Sequence, residues 1–184
     1  SQMTFDIVII GAGIVGAACA YRLSQEGFSV AVVDRGSPAC GSTSAAMGHI
    51  VVMDDNEAEF ALTNYSNSLW HQLSEKLPAS AEYEHCGTIW VAADEEEMRE
   101  VYRKRDFYRE RGVASEILDQ KSLRAAEPNL AEHLIGGLLV RGDSVVYQPV
   151  ATEYLLENSA DVVKKKKKVV KINETGVRLE DSSF

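Results

Sequence analysis

Three glycines and one aspartate near the N-terminus have the types and spacing of a dinucleotide-binding turn. Gly11, Gly13 and Gly16 form a GxGxxG pattern, and Asp34 lies 23 positions after Gly11. The first glycine permits a tight turn, the second lets the backbone approach a pyrophosphate, and the third lets the helix pack close to the strand. The acid accepts hydrogen bonds from the ribose hydroxyls of adenosine, and it disfavours the 2′-phosphate of NADP. These residues predict a dinucleotide site.

The elements that must position this turn follow one another in the required order. Phe5–Ile10 is an apolar run typical of a strand buried on both faces of a parallel sheet. A helix is predicted after the turn, and Gly27 ends it in the left-handed conformation. A second buried strand, Val30–Val33, leads to Asp34. The helix residues available to face the sheet are Ile14, Ala17, Ala18, Tyr21 and Leu23.

The same βαβ unit serves NAD and FAD, and the next segment, residues 35–49, distinguishes them. It is rich in small residues, whereas a simple NAD dehydrogenase continues with a short loop and an ordinary helix. Three consecutive hydroxyl side chains suit helix capping and contact with an extended cofactor, namely those of Ser42, Thr43 and Ser44. Room for a flat ring beside the backbone is left by Ala45, Ala46 and Gly48.

The combination of DIVIIGAGIVGAACAYRLSQEGFSVAVVDR with GSTSAAMGHI resembles the D-amino-acid oxidase and glycine oxidase family of flavoproteins. That family includes sarcosine oxidases and dehydrogenases of D-amino acids and D-hydroxyproline. The resemblance extends beyond His49 through HCGTIWVAADEEE and AAEPNLAEHLIGGLLVRGDSVVYQP, with Gln148-Pro149 where the family usually has Asp-Pro. It implies FAD as the cofactor.

By position, the resemblance implies contacts of this chain with each part of FAD. Ser42, Thr43 and Ser44 would contact the phosphates and the ribityl chain, with a helix cap in a polar loop as the alternative role. Ala46, Met47 and Gly48 would lie beside the flavin ring, and the backbone of Val169 would hold the adenine. The predicted FAD-binding set is Gly11, Ala12, Gly13, Ile14, Val15, Gly16, Asp34, Arg35, Ser42, Thr43, Ser44, Ala46, Met47, Gly48 and Val169.

The resemblance also implies the fold class and its division. We expect an α/β protein with a Rossmann-like FAD-binding domain of the GR2 type and part of a mixed-sheet α+β substrate domain. Residues 1–80 and 149–184 would form two segments of the FAD domain, and residues 81–148 the partial substrate domain. In the family, further sheet strands and the residues that hold the substrate carboxylate come later in the chain. We therefore expect an N-terminal fragment, inactive alone, with no assignable catalytic residue.

The remaining segments show helix, strand and hairpin signals. Asn56 with Glu59 resembles a capping box, and Asp94 and Asp119 are predicted to begin two further helices. Strands are predicted at 87–93, 134–140 and 144–147, a helix at 149–158, and a hairpin at 169–172 and 177–180. A stripe at helical spacing is predicted to be core: Ala58, Leu62, Tyr65, Leu69, Leu73 and Leu77. The run Lys164–Lys168 repels itself and is predicted to be solvated or poorly ordered.

Composition excludes several classes of function. The net charge of −9 argues against general nucleic-acid binding. The three cysteines form no CxxC pair and the histidines have no metal-ligand spacing, so neither a disulfide framework nor a metal site is predicted. Cys19 is predicted to be a small core residue on a helix. No apolar run is long enough to cross a bilayer, and we expect a cytoplasmic protein, with peripheral attachment to the inner face of the membrane as an alternative.

The resemblance implies hydride transfer from the carbon bearing an amine to FAD, leaving an imine that hydrolyses. The substrate would be a small amino or imino acid, with glycine, sarcosine, D-amino acids and hydroxyproline as candidates. The segment SAAMGHIVVMDDNEAEFALT most resembles the dehydrogenase branch that acts on D-hydroxyproline or related imino acids and opines. The resemblance to that branch implies a partner subunit or a quinone as the electron acceptor. His49, the histidine nearest the proposed flavin site, is expected to pack or hydrogen-bond rather than to catalyse. Two alternatives remain open, an NAD-dependent dehydrogenase and a non-catalytic flavin-binding subunit of a larger complex.

Overall fold

A computed structural model describes residues 3–160 and 162–181. The helices begin and end at α1 Ile14–Gln25, α2 Ser42–Ala45, α3 Glu57–Ser74, α4 Glu95–Glu110, α5 Gln120–Ala126 and α6 Gln148–Glu157. A short 3-10 helix spans Ala79–Ala81. The strands are β1 Ile7–Ile10, β2 Val30–Asp34, β3 His49–Ile50, β4 Thr88–Ala92, β5 Ser115–Asp119, β6 Gly136–Val140, β7 Ser144–Val145, β8 Val162–Lys166, β9 Val169–Asn173 and β10 Gly176–Leu179.

The chain divides into two compact units. The first, the nucleotide unit, comprises the described residues up to Gly48, Leu77–Glu82 and the described residues from Tyr147 onward. The second, the antiparallel unit, comprises His49–Lys76 and Tyr83–Val146. Residues 49–76, which the sequence assigned to the first segment of the FAD domain, therefore group with the antiparallel sheet. The predicted functional division into FAD and substrate domains remains a prediction.

The nucleotide unit is built on a parallel sheet with the strand order β1-β2-β8. β2 is its central strand, and Val30–Val33 are buried, as the apolar run predicts. β1 is shorter than predicted, and Ile10 at its end is 50% exposed. On α1, Ala17 and Ala20 are buried whereas Ala18 is exposed, which corrects the predicted sheet-facing set.

Part of the lysine run, Lys164–Lys166, lies in a strand, which contradicts the prediction of poor order there, whereas the exposure of Lys164, Lys166 and Lys168 agrees with the prediction of solvation. β8 pairs in parallel with β2, so that Lys164 lies opposite Val32 and Lys166 opposite Asp34. Lys164 and Lys166 project their side chains into solvent, while Lys165 is half-buried. Backbone pairing with an apolar central strand therefore outweighs the mutual repulsion of the ammonium groups, which solvent screens. The predicted hairpin after this strand is confirmed as β9 and β10.

The antiparallel unit has a sheet with the order β4-β6-β5, and the central strand β6 is buried throughout. α4 packs on this sheet and buries Met98, Val101 and Tyr108. Its predicted start is confirmed, because Asp94 accepts hydrogen bonds from the amides of Glu96 and Glu97, both at 2.9 Å. β5 was not predicted.

α3 begins as predicted but presents its apolar stripe to solvent. The Asn56 side chain caps the helix by accepting from the Glu59 amide at 2.9 Å. However, Leu62, Tyr65 and Leu69 are 69%, 65% and 46% exposed, and Ala58 is exposed too. The prediction of a core stripe is therefore wrong for these four residues, while Leu73 and Leu77 are half-buried. The buried side of α3 instead carries Phe60. Periodicity identified an apolar stripe but not the surface against which the helix packs.

Three buried polar residues hold the segment between β3 and α3. The Tyr108 hydroxyl donates to the Val52 carbonyl at 2.6 Å, and the Asp143 carboxylate accepts from the Val52 amide at 3.2 Å. The Asp54 carboxylate, 5% exposed, accepts hydrogen bonds from Lys104 and Arg103. Burial raises the pKa of Asp54, but the hydrogen bonds from Lys104 and Arg103 outweigh it and hold the pKa below its usual value.

Burial has the opposite outcome at Asp143, where it raises the pKa of the carboxyl group above its usual value. The pKa of Tyr108 is also raised, by burial and by the nearby carboxylates. Both groups are therefore neutral hydrogen-bonding partners over a wider pH range than the free side chains.

Of the cysteines, Cys19 lies on α1 but is exposed, which contradicts its prediction as a core residue. None of the described helices is both long and apolar enough to span a membrane.

Candidate cofactor-binding site

The glycine-rich turn joins β1 to α1 at the carboxyl end of the parallel sheet. The Gly11 amide donates to the Val33 carbonyl at 2.8 Å, and Gly11 has a φ of 109°, which side-chain-bearing residues rarely adopt. A Cβ at Gly16 would lie 2.0 Å from the Gly11 carbonyl oxygen. Only glycine at position 16 therefore lets α1 begin this close to the strand, as the pattern predicts.

The N-terminus of α1 faces a buried hydroxyl. Thr43 is 8% exposed, and its Oγ1 accepts a hydrogen bond from the Ile14 amide at 3.1 Å. The same oxygen is 3.0 Å from the place that a Cβ on Gly13 would take. The N-cap residue Gly13 has no side chain, so the first turn of α1 keeps its partial positive charge near the surface, which favours an anion.

Asp34 connects two turns at the end of β2. One carboxylate oxygen accepts from the Ala12 amide and the other from the Gly36 amide, both at 2.8 Å. A carboxylate has about four acceptor positions, so each oxygen keeps the capacity to accept from a ribose hydroxyl. Asp34 thus fixes the glycine turn and the following loop together, and it is oriented by two backbone donors before any ligand binds.

The loop after β2 is held against the glycine turn by a residue that the sequence did not indicate. The Ala39 amide donates to the Ala12 carbonyl at 2.9 Å, and Ala39 is buried with a φ of 58°. The small side chain of Ala39 is the one feature of the sequence that could have indicated this role, and it is not specific because many alanines share it. The Ser44 hydroxyl donates to the Gly41 carbonyl at 2.8 Å, and α2 has no side-chain cap, so the capping role considered as the alternative to cofactor contact is seen at Thr43, on α1.

Two of the three predicted flavin-facing residues are accessible. Met47 is 81% exposed, Ala46 is exposed, and Gly48 is buried with a φ of 75°. The other predicted contacts also lie in the nucleotide unit. Ala12 is buried, Ile14 and Val169 are half-buried, and Val15, Arg35 and Ser42 are exposed. Their contacts with FAD remain predictions.

His49 belongs to the antiparallel unit and pairs with Val145 across β3 and β7. Its side chain is exposed. In the described part of the chain, no three His, Cys, Asp or Glu side chains cluster in a way that could hold a metal ion. The polar groups of the nucleotide unit are therefore the ones on which a candidate cofactor site can be built.

These residues fit a flavin dinucleotide. A side chain at Gly13 would meet the Thr43 hydroxyl, and a side chain at Gly16 would meet the Gly11 carbonyl, so glycine keeps the turn compact at both positions. The N-terminus of α1 suits a pyrophosphate. Asp34 lies one strand away at the same sheet edge, where the ribose of a bound dinucleotide is placed in doubly wound folds. The small, exposed residues that follow Thr43 leave an accessible surface for the remainder of an extended cofactor.

Three curated relatives show how far the likeness extends. The mouse mitochondrial pyruvate dehydrogenase phosphatase regulatory subunit is 32% identical over 143 residues, covering 77% of this chain and 16% of the relative. Glycine oxidase of Geobacillus kaustophilus is 31% identical over 157 residues, covering 79% of this chain and 41% of the relative. Glycerol 3-phosphate oxidase of Mycoplasma genitalium is 27% identical over 182 residues, covering 90% and 46%.

The solved structure of glycine oxidase from Geobacillus kaustophilus matches with a TM-score of 0.88 and 26% identity, covering 97% of this chain and 52% of that structure. The chain thus spans half or less of the length of these curated relatives. The family model for FAD-dependent oxidoreductases of the DAO type matches residues 6–182. The chain belongs to the DAO family of FAD-dependent oxidoreductases, and FAD is the cofactor of that family.

Proposed function

We propose that this chain is the FAD-binding portion of an oxidoreductase that oxidises the C–N bond of an amino or imino acid. The observation that carries the FAD-binding part of the proposal is the Asp34 carboxylate, held by the Ala12 and Gly36 amides beside the N-terminus of α1. The likeness to glycine oxidase, at 31% identity, supports an amine substrate. Glycerol 3-phosphate, the substrate of another relative, is the competing substrate class.

Within this proposal the chain's own residues bind and orient the cofactor. The α1 amides hold the pyrophosphate, and Asp34 accepts hydrogen bonds from the adenosine ribose. Ala46, Met47 and Gly48 would lie beside the flavin ring, and the backbone of Val169 would hold the adenine. Bound FAD supplies hydride acceptance, and the protein supplies position and electrostatics. No general acid or base of this chain is needed for that role.

The substrate class is tested by anaerobic reduction of FAD bound to the protein in its natural, full-length form. Glycine, sarcosine, D-alanine and D-hydroxyproline are compared with glycerol 3-phosphate, and bleaching of the visible flavin absorption is followed. The proposal predicts bleaching by at least one of the amines and none by glycerol 3-phosphate. Bleaching by glycerol 3-phosphate alone would assign the protein to the other substrate class.

The electron acceptor is tested on the same reduced protein. We propose transfer to a partner subunit or a quinone, so a soluble quinone should restore the flavin absorption faster than dissolved oxygen does. Reoxidation by oxygen at the faster rate, with hydrogen peroxide as product, would instead make the protein an oxidase.

A second candidate function is a non-catalytic flavin-binding subunit. The mouse relative, at 32% identity, is itself a regulatory subunit, and this favours the alternative. The two functions separate on one result. A protein that binds FAD but shows no flavin reduction by any of these substrates, alone or with its co-purifying partners, has the non-catalytic role. The NAD-dependent alternative is disfavoured by the family to which the chain belongs.

A further inference from the structure

The carboxyl ends of three parallel strands line one edge of the nucleotide unit. β1 ends at the glycine turn, β2 ends at Asp34, and β8 ends at Lys166, which lies opposite Asp34 in the strand register. Ligands of doubly wound sheets bind outside these carboxyl ends. Lys166 therefore lies one strand beyond the ribose-binding acid, on the side away from the glycine turn.

The Lys166 side chain is directed across this edge. Its Nζ donates a hydrogen bond to the Ser37 hydroxyl at 3.3 Å, linking β8 to the loop that follows Asp34. That loop is the one fixed by the Asp34 carboxylate through the Gly36 amide. An ammonium group has three donors, so two remain for other acceptors.

We propose that Lys166 and Ser37 bind the adenosine end of the cofactor and contribute to selection of a dinucleotide over a flavin mononucleotide. This inference rests on the FAD site proposed above. The adenine ring nitrogens and the ribose oxygens are acceptors, which a lysine ammonium can satisfy. The chain is acidic overall, with a net charge of −9, and repels a pyrophosphate at long range. A positive charge at the end of β8 reduces that repulsion at the same sheet edge, and its direct contacts are proposed with the adenosine end.

Lys164 is the matched control for Lys166. Both lie on β8 with exposed side chains, and replacing either by alanine removes one positive charge. Lys164, however, lies opposite Val32, two residues back from the sheet edge, and it is distant in register from Asp34. A general electrostatic effect of the lysine run would affect both variants equally, whereas a specific contact affects only Lys166.

The experiment measures the dissociation constants of FAD, ADP and FMN for the protein in its natural, full-length form and for its Lys166→Ala, Lys164→Ala and Ser37→Ala variants. Flavin fluorescence reports FAD and FMN binding, and calorimetry reports ADP binding. We expect Lys166→Ala to weaken FAD and ADP about ten-fold, as for a hydrogen bond from a charged donor, and to leave FMN unchanged. Ser37→Ala should weaken them less, and Lys164→Ala should change FAD binding less than about two-fold.

Each other result decides against the inference. Equal losses for Lys164→Ala and Lys166→Ala, or no loss for Lys166→Ala, would overturn it while leaving the FAD site intact. A loss of FMN affinity equal to that of FAD would place Lys166 outside the adenosine end. If the unchanged chain binds neither FAD nor ADP, the proposed FAD site itself fails. Thermal unfolding of each variant checks that these exposed substitutions leave the fold unchanged.

Discussion

In the nucleotide unit, the Asp34 carboxylate lies at a strand end and accepts from two turn amides, each at 2.8 Å. In the antiparallel unit, the Asp54 and Asp143 carboxylates are buried, and their partners are Lys104, Arg103 and the Val52 amide. The Asp34 oxygens can still accept hydrogen bonds from a ligand at the accessible edge of the parallel sheet. The carboxylates of Asp54 and Asp143 instead bind groups of the protein itself. Polar residues of the nucleotide unit should therefore affect ligand binding, and those of the antiparallel unit should affect stability.

The largest effect on FAD binding is expected at Gly16 in the nucleotide unit. In the Gly16→Val variant, the new Cβ would lie 2.0 Å from the Gly11 carbonyl oxygen if the backbone did not move. This distance is too short for two unbonded atoms, so α1 must shift away from β1. We expect a loss of about 3 kcal/mol in the free energy of unfolding and no measurable FAD binding. Gly142→Ala is the control, since its Cβ meets nothing within 4 Å, its φ is not in the left-handed region and it lies outside the nucleotide unit. FAD binding by Gly16→Val at unchanged affinity would contradict the close-packing argument.

In the antiparallel unit, two neighbouring positions of α3 should differ sharply. Phe60 is buried and packs edge-on against Phe107 with ring centroids 5.5 Å apart, so Phe60→Ala should cost about 3–5 kcal/mol. Leu62 is 69% exposed, so Leu62→Ala should change stability by less than about 0.5 kcal/mol. Denaturant unfolding of both variants tests the assignment of the buried side. Equal costs would mean that the Leu62 stripe is covered as well.

The Asp54 ion pairs predict a pH dependence in the antiparallel unit. The pKa of Asp54 is lower in the folded protein than in the unfolded chain. The contribution of Asp54 to the free energy of unfolding is therefore complete above the unfolded pKa of about 4, and it is lost as the pH falls through the folded pKa. Asp54→Asn removes the charge that Lys104 and Arg103 contact and should cost about 3 kcal/mol near neutral pH. The difference between the two proteins should shrink below about pH 4. A difference that is constant with pH would show that the Asp54 charge contributes nothing.

Thr43 gives the smallest of these effects and tests the boundary between structure and binding. Thr43→Val removes the acceptor for the Ile14 amide, and loss of such a cap should cost about 1 kcal/mol. Because the hydroxyl lies at the helix terminus predicted to receive the pyrophosphate, FAD affinity should fall as well. Thr43→Ser keeps the acceptor and should restore both properties. Lost stability with unchanged FAD affinity would limit Thr43 to helix capping.

Sequence reasoning was most accurate where local sterics decide the structure. The strand, glycine turn, helix and acid at 5–34 follow from neighbouring residues, as do the caps at Asn56, Asp94 and Asp119. Sequence reasoning failed where the structure of a segment depends on a partner that is distant in the sequence. The exposure of Leu62 depends on how α3 packs, and the lysine run forms β8 because a buried β2 is available to pair with it. The contact between Lys166 and Ser37 joins residues 129 positions apart, which no local pattern indicates.

The most direct test of the account is titration of the protein in its natural, full-length form with FAD. Binding is monitored by the visible absorption and fluorescence of the flavin. NAD is the comparison ligand, and the Gly16→Val variant is the negative control. Acid release then identifies any cofactor that co-purifies. We predict saturable binding of FAD, weaker or absent binding of NAD, and no binding by the variant. A chain that takes up no FAD, or that prefers NAD, would contradict the claim that the glycine turn, Asp34 and Thr43 form a flavin dinucleotide site.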